Sequence, residues 1–282
     1  MTLNELYKKA VLALESIENG ETDARIIIKK VLSVNETEFL LSKHLELPDE
    51  KIKTIDRMID KRLSGIPVQY IIGEWDFYGT TFKVNENVLI PRPETEFLCE
   101  YVIDCLKGKN SPIIADLCAG SGCIGITIKN NVSDSTVILV EKSPEAAEIC
   151  RQNIADIIGE ASVTLINGDI YECEKFTGLP LFDIIISNPP YIKSSEIPTL
   201  QTEVLKEPEM ALDGGVDGLD FYRLLTEKWT EFLKEDGMFA FECGEEQADD
   251  IRALLEKKDF DVIYLKDYNN IDRFVIGKRR KK

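Results

Sequence analysis

The sequence predicts an α/β protein in two parts: a small N-terminal helical bundle, then a doubly wound, mostly parallel sheet with helices on both faces. Three observations carry this reading. Residues 1–66 place their apolar side chains at helical spacing. From residue 111 onward, short apolar runs alternate with amphipathic stretches, the pattern of strand–helix–strand units. The first of those runs closes in a glycine-rich turn, Asp116–Gly125, placed where a strand would feed a helix.

The elements follow in order. Leu3, Leu6, Tyr7, Ala10, Val11 and Leu14 form an apolar stripe, Thr2 and Glu5 can make a capping box, and Asn19-Gly20 is a stop signal. A second helix should carry Ala24, Ile27, Ile28, Val31 and Leu32, and a short third should hold Phe39 to Leu41. A fourth should run after Pro48 through Ile52, Ile55, Ile59 and Leu63 to Gly65. Residues 68–90 are rich in β-branched and aromatic residues, with Gly79 between two strand-like runs, which reads as a hairpin. Pro91-Arg92-Pro93 breaks that run, and a helix through Leu98, Tyr101, Val102 and Leu106 should follow. The expected boundaries are therefore a bundle over 1–66, a hairpin linker over 67–92 and a sheet domain over 93–282.

Within the sheet domain, strands are expected at residues 113–120, 135–143, 161–169, 181–191 and 237–244, with a helix over 144–159. Two last strands, near residues 260–266 and 273–278, are close enough in sequence to pair antiparallel. Residues 192–219 are irregular, and a long loop inside a compact domain is often a functional lid.

The chain has 282 residues and a formal net charge of −17. A protein that holds nucleic acid through its phosphates needs a concentrated basic surface, so this balance argues against direct nucleic-acid binding. The one dense basic run, Lys278–Lys282, reads as a solvated tail. Seven scattered cysteines, with His44 the single histidine, give no metal-ligand spacing and suggest reduced thiols. No apolar run approaches a membrane span, and the first segment lacks the basic start and apolar core of a signal peptide. The expectation is a cytoplasmic protein without a metal and without a membrane partner.

Three motifs carry chemistry. The Gly120-x-Gly122-x-x-Gly125 turn lets the backbone approach a ligand closely, and fits several nucleoside cofactors. Glu141, ending the next strand, is placed to accept from two ribose hydroxyls, and Asp169 from an exocyclic adenine amine. The discriminating motif is Asn188-Pro189-Pro190-Tyr191, after the fourth strand. Its two prolines rigidify the turn and remove two N–H donors, so carbonyls remain. With the Asn188 side-chain carbonyl, they form acceptors for a planar NH₂ group that could stack on Tyr191. Asn188 and Pro189 are the expected catalytic residues, and no acid–base residue is assigned.

The Asn-Pro-Pro-Tyr motif with its glycine turn is similar to the amino-methyltransferases of DNA, RNA and protein glutamine. Gly65–Gly73, Phe77-Tyr78-Gly79 and Val88–Glu96 narrow this, and closely resemble the peptide-chain release factor glutamine methyltransferases, also called HemK-like. Glu207-Pro208, Ala211-Leu212, Gly214-Gly215 and Asp217-Gly218 resemble that family's loop. The resemblance implies a seven-stranded, class I methyltransferase-like domain using S-adenosylmethionine. It implies methylation of the glutamine amide in the Gly-Gly-Gln loop of release factors, its protein partners. Family donor positions fall on Cys118, Ala119, Gly120, Ser121, Gly122, Glu141, Ile170 after Asp169, and Asn188. Substrate positions fall on Asn188, Pro189, Pro190 and Tyr191, and Arg92–Glu96 is expected near the donor pocket. The family commonly has Gly-Thr where this chain has Cys118-Ala119, and an aromatic residue at Ile170. The alternative reading is an amino-methyltransferase acting on RNA, DNA or a ribosomal protein.

Overall fold

A computed structural model describes residues 1–280, Ala161 by its backbone alone. The described residues divide into two compact units. The first comprises Met1–Glu74 with Gln201–Lys206, and the second Trp75–Leu200 with Glu207–Lys282.

In the first unit, helices α1 (Leu3–Ala13), α2 (Gly20–Leu32), α3 (Glu36–Leu41) and α4 (Asp49–Leu63) bury their stripes against one another. Thr2 and Glu5 form the expected capping box on α1, and Asn35 with Glu38 forms a second on α3. Leu6, Leu14, Ala24, Ile27, Ile28 and Ile55 are fully buried. The reading of 68–90 as strand and hairpin needs correction at its start: Val68–Ile72 is a short helix, α5, stopped by Gly73 at φ 77°. Pro67 fixes φ for entry to that helix, and this local geometry outweighs the β propensity of the run. The hairpin itself is shorter, β1 (Glu74–Phe77) and β2 (Thr80–Lys83) around Tyr78-Gly79.

The second unit is a seven-stranded sheet. In chain order it adds α6 (Thr95–Leu106), β3 (Ile113–Leu117), α7 (Cys123–Asn131), β4 (Thr136–Glu141), α8 (Pro144–Ile157), β5 (Thr164–Asn167), β6 (Phe182–Ser187), α9 (Asp220–Lys228), β7 (Leu233–Glu242), α10 (Ala248–Glu256), β8 (Phe260–Lys266) and β9 (Asp272–Arg279). The strand order is β5-β4-β3-β6-β7-β9-β8, with β5 to β7 parallel and β9 antiparallel to both its neighbours. Period two sorts each strand's residues onto two faces. Ile114, Leu139, Ile184, Ile186 and Ala240 pack under α6, α7 and α8. Ala115, Leu117, Val140, Ile185 and Phe239 pack under α9 and α10, with Trp229 at their centre. The order reverses between β3 and β6, so the crevice outside the carboxyl ends of β3, β4 and β6 is the natural ligand position.

The basic run also needs correction. Lys278 and Arg279 belong to β9 and are not a tail, because the pairing with β8 extends to Arg279 opposite Phe260. Arg280 pairs with Asp261 at 2.7 Å, while Lys281 and Lys282 lie outside the described residues.

Candidate active site

The glycine turn begins where β3 ends. Cys118 takes φ 62°, a left-handed conformation that costs a non-glycine residue strain. Gly122, at φ 81°, then caps α7, and a Cβ there would meet Cys150 Sγ at 2.6 Å. Beneath the turn, Asp116 is fully buried and accepts from the Gly125 N–H at 2.8 Å, while its Oδ1 has no partner. Burial pushes its carboxyl up to about 7 against that hydrogen bond.

Glu141 ends β4 beside the turn. Its Oε2 accepts from the Gly120 N–H at 2.8 Å and its Oε1 from the Ser143 N–H at 2.7 Å. Burial raises its pKa, and the Ser143 and Gly120 hydrogen bonds oppose the rise. Asp169 lies two residues beyond β5. Burial raises its carboxyl, but Lys142 at 2.8 Å and the Tyr171 N–H outweigh that and hold it low. Ile170 is buried, its carbonyl accepting from Trp229 Nε1 at 3.0 Å.

Asn188 follows β6, which Ser187 Oγ ties to the Leu117 carbonyl at 2.6 Å. The amide nitrogen of Asn188 approaches Thr95 Oγ1 at 3.5 Å, and its Oδ1 is buried with no hydrogen-bond partner. Gln247 clamps the turn from behind: its Nε2 donates to the Tyr191 carbonyl at 2.9 Å and the Gly218 carbonyl at 3.1 Å. The loop closes on the turn through Ile192 N–H to Leu212 O and Gly214 N–H to Ile192 O. A Cβ at Gly214 would meet Tyr191 Cα at 2.7 Å, so this approach requires glycine.

These elements enclose one cavity of about 190 Å³. Cys118, Gly120, Glu141, Asp169 and Ile170 line it on one side, and Asn188 and Pro190 on another. Ala119, Ser121 and Gly122 lie behind the wall, buried, and shape the turn. Pro189 is also buried outside the lining, and Tyr191 packs half-buried against the core under α9. Val88, Leu89, Pro208, Met210, Ala211 and Phe221 also line the cavity; none was named as a site residue from the sequence, though Pro208, Met210 and Ala211 belong to the irregular 192–219 stretch read there as a lid. Glu207 staples two of these segments together: it accepts from the Ile90 N–H at 3.0 Å and pairs with Arg92. A buried acid amid an irregular loop was the available signal. Glu242 was also missed, although an acid ending the apolar run of β7 marks it, while Thr95, beside Asn188, belongs to the Arg92–Glu96 segment expected near the donor pocket.

Among the described residues no cluster could hold a metal ion, and no helix is long and apolar enough to cross a membrane. A polar strip of Glu141 and Asp169 facing apolar Val140, Ile170 and Phe221 suits a nucleoside: hydroxyls on one edge, a base against the other.

A doubly wound sheet with this cavity at its switch point is a nucleoside-cofactor fold, and the match to the methyltransferase small domain makes the class that of the methyltransferases. Residues 5–73 match the family model described as the PrmC N-terminal domain, and residues 95–216 that of the methyltransferase small domain. A protein of Aquifex aeolicus (strain VF5) called release factor glutamine methyltransferase is 37% identical over 277 residues, covering 98% of this chain and 97% of its own. Proteins of that name from Clostridium acetobutylicum and Bacillus cereus are 36% and 37% identical, covering 91% and 98% of this chain and 90% and 99% of theirs. The chain belongs to the release factor glutamine methyltransferase family. Two solved structures share its fold at low identity. A methyltransferase from Pyrococcus furiosus has TM-score 0.54 at 18% identity, covering 78% of this chain and 98% of that one. The hMettl16 catalytic domain in complex with MAT2A 3'UTR hairpin 6 has TM-score 0.58 at 11% identity, covering 84% of each.

Proposed function

We propose that this chain methylates the side-chain amide nitrogen of the glutamine in the Gly-Gly-Gln loop of peptide-chain release factors, in the cytoplasm, using S-adenosylmethionine. The observation that carries this reading is the Asn188 Oδ1 atom, a buried acceptor without a partner on a residue that lines the cavity. Buried polar groups are rarely left unpaired, so an orphaned acceptor calls for a donor from a ligand. A primary amide has two N–H donors in one plane. Oδ1 of Asn188 takes one, and the Pro189 carbonyl, in a turn with two N–H groups missing, takes the other.

Glu141 is assigned to the ribose hydroxyls, Asp169 to the adenine amine, and Cys118, Gly120 and Ile170 to the remaining cofactor surface, with Ala119, Ser121 and Gly122 shaping the turn. When bound, the cofactor supplies an electrophilic methyl on a sulfonium. An amide nitrogen is a poor nucleophile because its lone pair is delocalised into the carbonyl. Asn188 and Pro189 accept hydrogen bonds from its two protons, which returns electron density to nitrogen and fixes its direction of approach. One of those protons leaves the charged nitrogen to solvent after transfer. Pro190 lines the place where the plane of the amide would lie, and Tyr191, held by Gln247 and packed on the core, backs the turn. The wall of Val88, Leu89, Met210 and Phe221 excludes water. Residues 1–66 are assigned to recognition of the release-factor body, since a short loop alone offers little area for a specific interface. An isolated Gly-Gly-Gln peptide should therefore show a higher KM than the intact factor.

The test is methyl transfer from labelled S-adenosylmethionine to purified release factor. Label should appear on the wild-type factor and vanish from a Gln→Ala loop variant. Asn188→Ala should lower kcat about 10²–10³-fold, as loss of a transition-state hydrogen-bonding group does. No label on any release factor, with donor binding intact, would move the substrate to RNA, DNA or a ribosomal protein.

A further inference from the structure

The Asn188 amide can adopt either of two flipped orientations, and only its oxygen can accept from a substrate NH₂. What sets this choice lies outside the Asn-Pro-Pro-Tyr turn. Thr95, the first residue of α6, and Glu242, the last of β7, are each 2% exposed. Thr95 Oγ1 donates to Glu242 Oε2 at 2.6 Å. A hydroxyl has one proton, so with that proton committed to the carboxylate, Oγ1 faces Asn188 as an acceptor. The Asn188 NH₂ donates to it at 3.5 Å, and Oδ1 is left without a partner in the protein.

We infer that Thr95 and Glu242 are positioning residues that fix the amide orientation of Asn188, so that an acceptor and not a donor meets the substrate NH₂. This rests on the reading of Asn188 as the substrate-amide acceptor. The relay explains an acid sealed at the end of a strand with its side chain given to a threonine. It also explains why a hydroxyl begins α6, where no side-chain cap is made.

Protonation of Glu242 removes the relay's polarity. A neutral carboxyl can itself donate to Thr95, which frees the threonine proton for Asn188 Oδ1 and favours the flipped amide. Burial is the main cause that pushes Glu242 up to about 7, with the Thr95 hydrogen bond and Arg273 opposing. The charged and titratable groups facing it are Arg273 of β9, Arg92 and Glu94 before α6, Cys99 of α6 and Cys123 of α7. Tyr222 of α9, Tyr191 and Cys243 complete the set. The catalytic limb should therefore be lost as pH falls through about 7.

The experiment has one arm without substrate and one with it. In asparagine-selective ¹⁵N-labelled enzyme, the side-chain NH₂ pair of Asn188 is identified by its absence in Asn188→Ala. In the wild type it should shift with pH around neutrality. In Glu242→Gln that dependence should vanish, and in Thr95→Val the pair should move at all pH values, with Thr95→Ser restoring it. In turnover, Thr95→Val should lower kcat about 10–100-fold, the range for misplacement of a catalytic group. Its KM for release factor and calorimetric affinity for S-adenosylhomocysteine should stay near wild type, which also reports that the site is folded. Thr95→Ser should recover kcat, and Glu242→Gln should flatten the acid limb. An Asn188 signal that ignores Thr95→Val and pH overturns the relay. A wild type with the expected amide signals that labels no release factor overturns the substrate reading and leaves the relay standing.

Discussion

The molecule buries charge in two different ways. In the first compact unit, Arg62 is 2% exposed and pairs with Asp23 at 2.6 Å and with Glu203. At the carboxyl edge of the sheet, Asp116, Glu141 and Glu242 are equally buried, but their hydrogen bonds come from the Gly125, Gly120 and Ser143 N–H groups and the Thr95 hydroxyl. A charge paired with an opposite charge has its main electrostatic demand met within the chain, although Arg62 Nη1 is left without a hydrogen-bond partner. A carboxylate held by N–H or hydroxyl groups keeps free lone pairs; burial raises its pKa, as it also raises that of the paired Asp23. Buried charge is therefore informative about function only when its partner is missing.

The largest expected effect tests the structural half of that contrast. Arg62→Ala should destabilise the first unit by about 3–5 kcal/mol, because Asp23 would remain buried without its cation. Replacing both partners, Asp23→Leu with Arg62→Met, should recover most of that loss, since apolar isosteres of a buried pair are often neutral or better. Urea unfolding followed by a probe in residues 1–74 reads both. A single variant as stable as the double would mean that the pair is decoration.

The functional half predicts the reverse profile. Glu141→Ala should show mainly in binding: loss of hydrogen bonds from two hydroxyls to a carboxylate is worth about 3 kcal/mol, about a hundredfold in Kd. Asp169→Ala should cost less, about tenfold, because Lys142 already pairs with Asp169 and its side chain is 23% exposed. Calorimetry with S-adenosylhomocysteine measures both, and equal losses would reject the distinction drawn between them.

What could be read in advance follows the same division between local and distant causes. The strands were legible because each face repeats every two residues, and the bundle because its stripes repeat at helical spacing. The turn at Gly122 and the acceptors at Asn188 were legible because glycine and proline constrain the chain where they stand. Val68–Ile72 was misread because Pro67 and Gly73 decide its conformation from outside the run. Thr95 and Glu242 are 147 positions apart and Ile90 and Glu207 are 117 apart, and no period links such pairs. Their partnership exists only once the sheet has formed.

The smallest effect concerns Cys118, a non-glycine residue at a left-handed position. Its φ of 62° is the conformation that glycine adopts without strain and other residues adopt at about 1–2 kcal/mol. Comparing Cys118→Gly with wild type would mix three effects: relief of strain, loss of the thiol's packing and a more flexible unfolded chain. Comparing Cys118→Gly with Cys118→Ala removes the thiol from both and leaves the backbone. At an ordinary position alanine would win by about 0.4–1 kcal/mol through the unfolded state. Here glycine should match or exceed alanine, with a net advantage of up to about 1 kcal/mol once strain and entropy are set against each other. Thermal denaturation of the two variants decides it. An alanine variant clearly more stable than the glycine one would mean that the turn relaxes away from the left-handed conformation when glycine is absent. Cys118 would then mark a tolerant turn rather than a strained one, and the backbone cradle below Glu141 would owe its shape to Gly120 and Gly122 alone.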